Sequence, residues 1–407
     1  MNTFQVVQDV TRKSLKYLHE KGTFIGTVDR SYDDRFARTG AKIGSKLNVR
    51  NPVKFQTTVG ANAAPQDISE STTPLVLATQ RHVDILWNSV DWTLSMDDIS
   101  IRYIEPMMAE LATMIEADGF ASYTNVYQTV GSQTSNPADI TPFLNAKLLL
   151  NRSLCPKDSK RNIQINSATS ASTVAGLKTL FQDSVSLSKQ YLEGRMFRTS
   201  GFDFFENENI AVLTNGHFTG IPQVNGASQL GNSLVTSGWA PGDIMVANTV
   251  FTVPGSYMVH PETKANYGTL QQFVCTQTQT ADAGGNMTIP INPGIQDSSF
   301  GAYQNVTASP TNGQNLTIVG ASDAVIAQNL AYHEWAFAMV TADLLLPENT
   351  VAYRTNFDGI SMRAVKQYDI KTDQEILRID VLYGWACLRP ELACRILSPG
   401  AVTLVTA

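Results

Sequence analysis

The sequence predicts an α+β protein whose body is interrupted by an inserted all-β domain. Residues 221–322 hold only five charged residues and 12 of the 27 glycines, a composition typical of a β-rich segment with many turns. An apolar helical pattern begins at Pro106, where proline suits the first turn of a helix. Segments on both sides of this helix alternate apolar and polar residues, as half-buried strands do.

The composition indicates an ordered chain with enough apolar surface for two or three compact domains. It has 407 residues, of which 43% are hydrophobic and 16% are charged. We expect no secretion signal and no membrane-spanning segment, because no apolar run is long enough. The four cysteines form no C-x-x-C pair, so buried, reduced thiols are expected.

Charge is unevenly distributed along the chain. Residues 1–50 carry ten Lys or Arg and five Asp or Glu, a balance of +5, so the net charge of −6 leaves −11 for the other residues. Tight nucleic-acid binding needs a broadly basic face, because affinity comes from neutralising phosphates. The pattern therefore predicts weak, non-specific contact with nucleic acid at most.

The N-terminal segment, residues 1–39, predicts an arm that starts with an amphipathic helix. Arg12, Lys13 and Lys16 lie on its polar face, and two interpretations stay open: a solvated helix face, or contact with an acidic partner or nucleic acid. A mixed-charge stretch follows, containing Asp33, Asp34, Arg35 and Arg38. We expect such residues to form ion pairs with a neighbouring chain, which would set register more than stability.

Residues 40–95 predict a long two-stranded excursion. The alternating segments 42–49, 53–59 and 82–87 are joined by the polar stretch 61–74. An isolated hairpin is at best marginally stable in water, so Trp87 and Trp92 suggest that the excursion lies against another chain.

The body is predicted to contain three helices and several strands. The long helix runs from Pro106 to about Val126, and two shorter ones occupy 141–152 and 172–183. Residues 331–346 and 375–388 are predicted strands, the second becoming continuously apolar as a strand buried on both faces does. Between them, 221–322 predicts a β-barrel or sandwich, with β-rich pieces at 243–253 and 270–278.

Catalytic and metal-binding motifs are missing from the sequence. There is no phosphate-binding glycine loop, zinc-protease motif or nucleophile elbow, and the five histidines are far apart. His333 lies in an apolar run and is interpreted as a packed core residue. We therefore expect a structural protein without a cofactor. The rival hypotheses are a β-rich tail or tube protein, and a β-rich hydrolase.

Three stretches resemble one protein family. YIEPMMAELATMIEADGF at 103–120 is similar to its spine helix, and LEGRMFRTSGFDFFENENI at 192–210 to the turn and strand before its insertion. AVKQYDIKTDQEILRIDVLYGWACLRPELACRI at 364–396 is similar to its closing strands. Together they resemble the major capsid (coat) proteins of short-tailed bacteriophages related to the well-studied Salmonella phage. A tail or tube protein would lack this order of motifs.

The resemblance implies a tailed-phage capsid fold with parts in a defined order. These are an N-terminal arm at 1–39, an extended loop at 40–95, a peripheral domain with the spine helix at 96–130, an axial domain at 131–220, an inserted β-barrel at 221–322, and the second axial part with returning peripheral strands at 323–407.

The same resemblance implies partners. The chain would form hexamers and pentamers of an icosahedral shell around double-stranded DNA, assembled in the host bacterial cytoplasm. A scaffolding protein during assembly, a portal protein at one vertex and a decoration protein are the other partners it implies. No Lys and Asn match the crosslinking pattern of some relatives, so no crosslink is expected.

Overall fold

The structure is a computed structural model, and it describes residues 10–14, 22–32, 44–62, 65–66, 70–88, 103–177, 198–348, 350–357, 360–371 and 374–400. Residues 10–14 are helical. The longer helices are α1 (Glu105–Phe120), α2 (Thr141–Arg152) and α3 (Ser167–Leu177). Short 3-10 helices occupy Ile25–Thr27, Ala121–Asn125, Ser298–Tyr303, Glu334–Ala336 and Pro390–Leu392.

The strands contain more of the described residues than the helices do. They are β1 (Lys46–Arg50), β2 (Thr72–Val76), β3 (Thr79–Asn88), β4 (Thr129–Gly131), β5 (Arg161–Ile165), β6 (Asp203–Glu206), β7 (Val212–Thr214), β8 (Gln223–Val224), β9 (Gly231–Ser237), β10 (Ile244–Met245), β11 (Val250–Val259), β12 (Asn266–Cys275), β13 (Gln279–Thr280), β14 (Met287–Ile295), β15 (Thr317–Ile318), β16 (Val325–His333), β17 (Phe337–Ala342), β18 (Val351–Phe357), β19 (Ile360–Asp369), β20 (Gln374–Cys387) and β21 (Ala393–Pro399). The α+β class is confirmed.

The described residues divide into two compact units. Unit 1 takes in the described parts of Met1–Arg50, Thr72–Ser122 and Phe337–Leu388. Unit 2 takes in those of Asn51–Ser71, Tyr123–Ala336 and Arg389–Ala407. Each unit is built around its own sheets.

Unit 1 is organised around β20. One edge of this strand pairs with β3, and the other pairs first with β19 and then with β17, while β18 extends the sheet beyond β19. The β1–β2 pair belongs to this unit through its base, where Leu47, Val49, Leu75 and Leu77 join an apolar cluster with β17 and β20. The cluster anchors the pair to the body.

An aromatic group lies at the centre of unit 1. Phe24 stacks on Phe120 at 4.5 Å between centroids and on Trp385 at 5.3 Å, and it meets Phe337 edge-on. Gly119 in α1 leaves room for this packing, since a Cβ there would lie 2.8 Å from the Trp385 ring. The Phe24 amide also donates to the buried Glu116 carboxylate. The segment 22–32 is therefore anchored in its own chain.

Unit 2 contains a six-stranded sheet ordered β4-β21-β16-β5-β6, with β7 also paired to β16, and a second six-stranded sheet ordered β15-β11-β12-β14-β9-β8. The second sheet closes into a barrel. Val224 donates to the Gln314 carbonyl and Leu316 donates to the Pro222 carbonyl, which joins β8 to the chain leading into β15. Closure removes the exposed edges of the sheet. Its strands from Gln223 to Ile318 lie inside the predicted insertion.

Four sequence-based predictions are corrected by the structure. Residues 53–59 are not in a strand, and β3 belongs to the body sheet instead of the excursion at 40–95. The predicted strand 331–346 is two strands in different sheets, separated by a 3-10 turn at Glu334–Ala336. Charged Glu334, paired with Lys160, and half-exposed Trp335 interrupt the apolar run there. The long helix ends at Phe120, before a 3-10 turn.

Other predictions agree with the structure. Helix α2 has the predicted bounds, and α1 has its proline in the first turn. All four cysteines are buried and none forms a disulfide. His333 is buried, with Nε2 3.0 Å from Asp158 Oδ1.

Phe24→Ala should destabilise the chain by about 3–5 kcal/mol, because it removes a fully buried ring from a packed aromatic group. Phe55→Ala is the matched control, since that ring is 65% exposed, and it should change stability by less than about 0.5 kcal/mol. Denaturant unfolding of both variants measures the difference. Equal stabilities would contradict the anchoring of the N-terminal segment.

Candidate assembly surfaces

The predicted contact residues fall into three groups. Arg12 and Lys13 lie in the helical segment 10–14, with Arg12 exposed while Val10, Thr11 and Ser14 are buried. Trp87 lies in β3, where its backbone is opposite Glu375 of the body sheet, so it is not on the excursion. The others lie outside the described residues: Lys16, Asp33, Asp34, Arg35, Arg38 and Trp92.

The extended arm, defined as residues 44–77, has a base and a tip of different character. Its base is the β1–β2 pair. Its tip, the described part of 51–71, is held together by polar contacts: Asn51 and Ser71 bond through backbone and side chains, and the Gln66 amide exchanges two hydrogen bonds with the Gln56 backbone. Phe55 and Val59 are exposed on this tip. The arm thus presents apolar side chains on a braced loop.

A row of basic residues follows the same arm. Lys46, Arg50 and Lys54 are exposed and recur every fourth residue, about 13 Å apart in extended chain. In unit 2, Gln56 lies beside the turn at Gly301, where an added Cβ would be 3.3 Å from Oε1. Burial lowers the pKa of Lys264 and the positive charge of Lys54 lowers it further, so the tip is close to the barrel of its own chain.

A groove in unit 1 separates α1 from β3. Its volume is about 340 Å³. It is lined by Gln80, Arg81, His82, Val83, Glu110, Leu111 and Met114. Below it, Arg81 forms two 2.8 Å hydrogen bonds to Asp118, which also accepts from Tyr383. Burial raises the pKa of Asp118, but the bonds from Arg81 and Tyr383 outweigh it and lower the pKa below its ordinary value. The hydrogen bonds thus favour the charged form of Asp118 and hold the Arg81 side chain that lines the groove.

A second exposed apolar site of unit 1 lies after β17. The guanidinium groups of Arg354 and Arg363 donate to the carbonyls of Leu344 and Leu345, which holds the backbone of this turn. The Leu345 side chain is 83% exposed, and Leu346 is half exposed. Sequence reasoning assigned these leucines to a strand. The Leu-Leu-Leu-Pro-Glu run was the available signal, since proline ends a strand pattern.

Strands β19 and β20 each contribute one arginine to a shared buried carboxylate. Asp380 has no exposed surface and accepts from Arg363 at 3.0 Å, Arg378 at 3.2 Å and Gln80 at 2.9 Å. A buried charge is tolerated only when it is paired and hydrogen-bonded in this way. The cluster fixes the sheet that supports the leucine turn.

Asp243 fixes the backbone at the point where the chain enters the barrel. Its carboxylate accepts from the backbone N–H groups of Thr219, Gly220 and Ala240 at 2.8–3.2 Å. Burial raises the pKa of this carboxyl, but the hydrogen bonds dominate and lower it below its ordinary value. One side chain thus joins the incoming segment to the first turn of the barrel.

Most of the few charged side chains of the barrel form hydrogen bonds within the barrel. Lys264 donates to the carbonyls of Pro261, Ala302 and Gln304. Asp282 accepts from the amides of Gly284 and Asn286, and Asp297 accepts from Ser299. With Asp243 also engaged, Glu262 is the remaining charged residue of 221–322. The barrel surface is therefore nearly neutral and rich in amides and hydroxyls.

Among the described residues, no cluster of His, Cys, Asp or Glu is arranged to hold a metal ion. Within the same residues, no helix combines the length and apolar character needed to cross a membrane.

Comparisons with known proteins agree with this architecture. Residues 198–397, just under half of the chain, match the family model described as "P22 coat protein - gene protein 5". The "Major capsid protein" of Acyrthosiphon pisum secondary endosymbiont phage 1 is 23% identical over 134 residues, which is 32% of each chain. The chain thus spans about a third of the length of this curated relative.

Similar solved structures include a chain of Mycobacterium phage Che8, aligned over 92% of this chain and 90% of its own with 13% identity and a TM-score of 0.47. The CUS-3 coat protein I-domain aligns over 25% of this chain and 98% of its own, with 23% identity and a TM-score of 0.20.

The sequence matches point to one class of protein: parts of the chain are similar to phage coat proteins and major capsid proteins. More narrowly, the part of the chain from the turn at residue 198 through the barrel to β21 is similar to the P22 coat protein family.

Asp243→Asn should lower the melting temperature of the barrel at neutral pH by about 5–10 °C, because the amide cannot accept three N–H groups without presenting its own donors to them. A carboxyl whose pKa is lowered by folding stabilises above its ordinary value, here 3.8, and this stabilisation is lost as the pH falls through the folded-state pKa. The difference from wild type should therefore shrink in acid. Calorimetry across pH measures it, with Glu262→Gln as the control; a difference that grows in acid would contradict the assignment.

Proposed function

We propose that this chain self-assembles into hexamers and pentamers of an icosahedral shell that encloses the phage double-stranded DNA. Closed shells repeat the same heterologous contact many times, so each copy needs a surface that projects and a surface that receives. The chain acts structurally and catalyses no reaction.

The extended arm is the observation that carries this proposal. Its base is fixed by a buried apolar cluster, whereas its tip exposes Phe55 and Val59. Large exposed apolar side chains on a braced loop are typical of a surface that is covered in an assembly. In the proposed shell, the tip leaves the barrel of its own chain and contacts a neighbouring copy.

The partners of the proposed shell follow from charge. A scaffolding protein would meet exposed Arg12 and the basic row Lys46, Arg50 and Lys54. The packaged DNA would be held only weakly, because the chain carries a net charge of −6. A portal protein would occupy one vertex. The neutral barrel serves as a folding module or as a platform for a decoration protein, since it offers too few charges for ion pairs between capsomers.

Replacing Phe55 and Val59 together by serine should leave the chain folded but raise the concentration needed for shell formation by about a hundredfold or more, because two large apolar side chains contribute about 3–6 kcal/mol together when both are buried. Ile221→Ser is the matched control, since Ile221 is exposed to the same extent as Phe55. Light scattering and negative-stain microscopy with a co-expressed scaffold measure assembly.

Normal shells from the double variant would contradict the arm contact while leaving the shell function intact. Wild-type chains that never form shells, with or without scaffold, would contradict the function itself.

The barrel boundaries are a second proposal. We propose that the insertion folds on its own and that its neck, residues 215–220 with 323–324, stabilises it. Asn215 donates to the carbonyls of Val319 and Ala321, and Asp243 accepts from the amides of Thr219 and Gly220. A fragment of residues 215–324 should therefore melt cooperatively and about 5–10 °C above a fragment of 221–322. Calorimetry of both fragments tests this, and a flat transition for the longer one would contradict an independent domain.

A further inference from the structure

Two Asn-Gly turns meet on the surface of the barrel. Asn225-Gly226 precedes β9, and Asn312-Gly313 precedes β15. All four residues are exposed, and both glycines have positive φ, 104° and 78°. Glycine is the residue that these turns need, since other side chains rarely adopt this backbone conformation. The proposed assembly role uses neither turn.

Asn-Gly is also a chemically labile sequence. The backbone nitrogen of the glycine attacks Cγ of the asparagine, a C–N bond forms, and the side-chain nitrogen leaves as ammonia. Water then opens the resulting succinimide to aspartate or isoaspartate. The attack requires the glycine N–H to give up its proton and the nitrogen to approach Cγ. A hydrogen bond that occupies the N–H, or one that holds the asparagine amide elsewhere, therefore slows the reaction.

One hydrogen bond between the two turns has both effects: it occupies a glycine N–H and it holds an asparagine side chain. The Gly226 N–H donates to Asn312 Oδ1 at 2.7 Å, which occupies the nucleophile of the first turn and holds the side-chain carbonyl of the second. The Gly313 N–H is itself donated to the Val224 carbonyl at 2.8 Å. Each turn thus protects the other.

The Gln229 side chain holds the first turn in this position. Its amide nitrogen donates to the carbonyls of Asn225, Gly226 and Val235, and its oxygen accepts from the Val235 amide. These bonds connect the loop to β9, so the Gly226 N–H keeps its direction for as long as the barrel is closed.

We infer that Asn225 and Asn312 are a coupled pair of latent deamidation sites, which the folded barrel protects through the Gly226–Asn312 hydrogen bond. The use of this protection rests on the proposed function: a shell subunit is not replaced after the particle leaves the cell, so its exposed Asn-Gly sequences must last as long as the particle.

The test follows conversion of each asparagine in the unassembled full chain by peptide mapping and mass spectrometry, with isoaspartate resolved, in mildly alkaline buffer. Both sites should convert slowly in the folded wild type and quickly in urea. Asn312→Ala should speed conversion of Asn225 by about tenfold or more, because the Gly226 N–H loses its acceptor. Asn312→Asp keeps an acceptor oxygen and should leave Asn225 at the wild-type rate.

Asn215-Gly216 serves as the internal control for folding, because the Asn215 amide is buried in the neck. If Asn312→Ala opened the barrel, Asn215 would convert as well, and the comparison of folded with urea-unfolded wild type would then decide. Equal rates at Asn225 in those two samples would overturn the inference. So would an unchanged Asn225 rate in folded Asn312→Ala. Because no shell is needed, either result is independent of the assembly proposal.

Discussion

A buried guanidinium group holds unit 2 together. Arg395 of β21 has no exposed surface, and its Nε donates to the Val126 carbonyl at 2.6 Å while Nη1 donates to the Asn248 carbonyl at 2.8 Å. The group also lies over the Tyr123 ring. Burying a charge is costly unless its donors are satisfied, so these carbonyls must stay where they are. Arg395 thereby connects the six-stranded sheet containing β21 to Asn248 of the barrel and to the segment after α1.

Neutral side chains complete the attachment of the barrel. The Gln272 side chain accepts from the Thr129 amide at 2.7 Å and donates to the Thr129 carbonyl at 3.0 Å, so it pairs with the edge of β4 as another strand would. Asn292 donates to the Asn125 carbonyl on the same side. These contacts need no ion pairs. This explains how a nearly uncharged insertion is held by the body in one orientation. Because the bonded groups are neutral, salt screening hardly affects these bonds.

Sequence patterns predicted elements better than they predicted partners. The low charge of 221–322 located the barrel, and Pro106 located the start of α1, because both signals are local. Alternation at 82–87 correctly indicated a strand but could not show that β3 pairs with β20, since pairing depends on residues about 300 positions away. The apolar run after 331 gave no sign of a change of sheet at Glu334. The structural roles of Arg395 and Asp243 could not be predicted for the same reason, because their partners include carbonyl and amide groups far away in the sequence.

The candidate surfaces share one physical property, which distinguishes them from incidental exposure. Phe55 and Val59 lie on a tip closed by the Gln56–Gln66 pair, and Leu345 lies on a turn whose carbonyls are held by Arg354 and Arg363. Exposed apolar side chains on flexible backbone would lose conformational entropy on binding, whereas braced ones lose little. A capsid subunit forms many weak contacts, so each must avoid that entropy loss. In the proposed shell, the bracing of these side chains would therefore favour repeated contacts between copies of this chain.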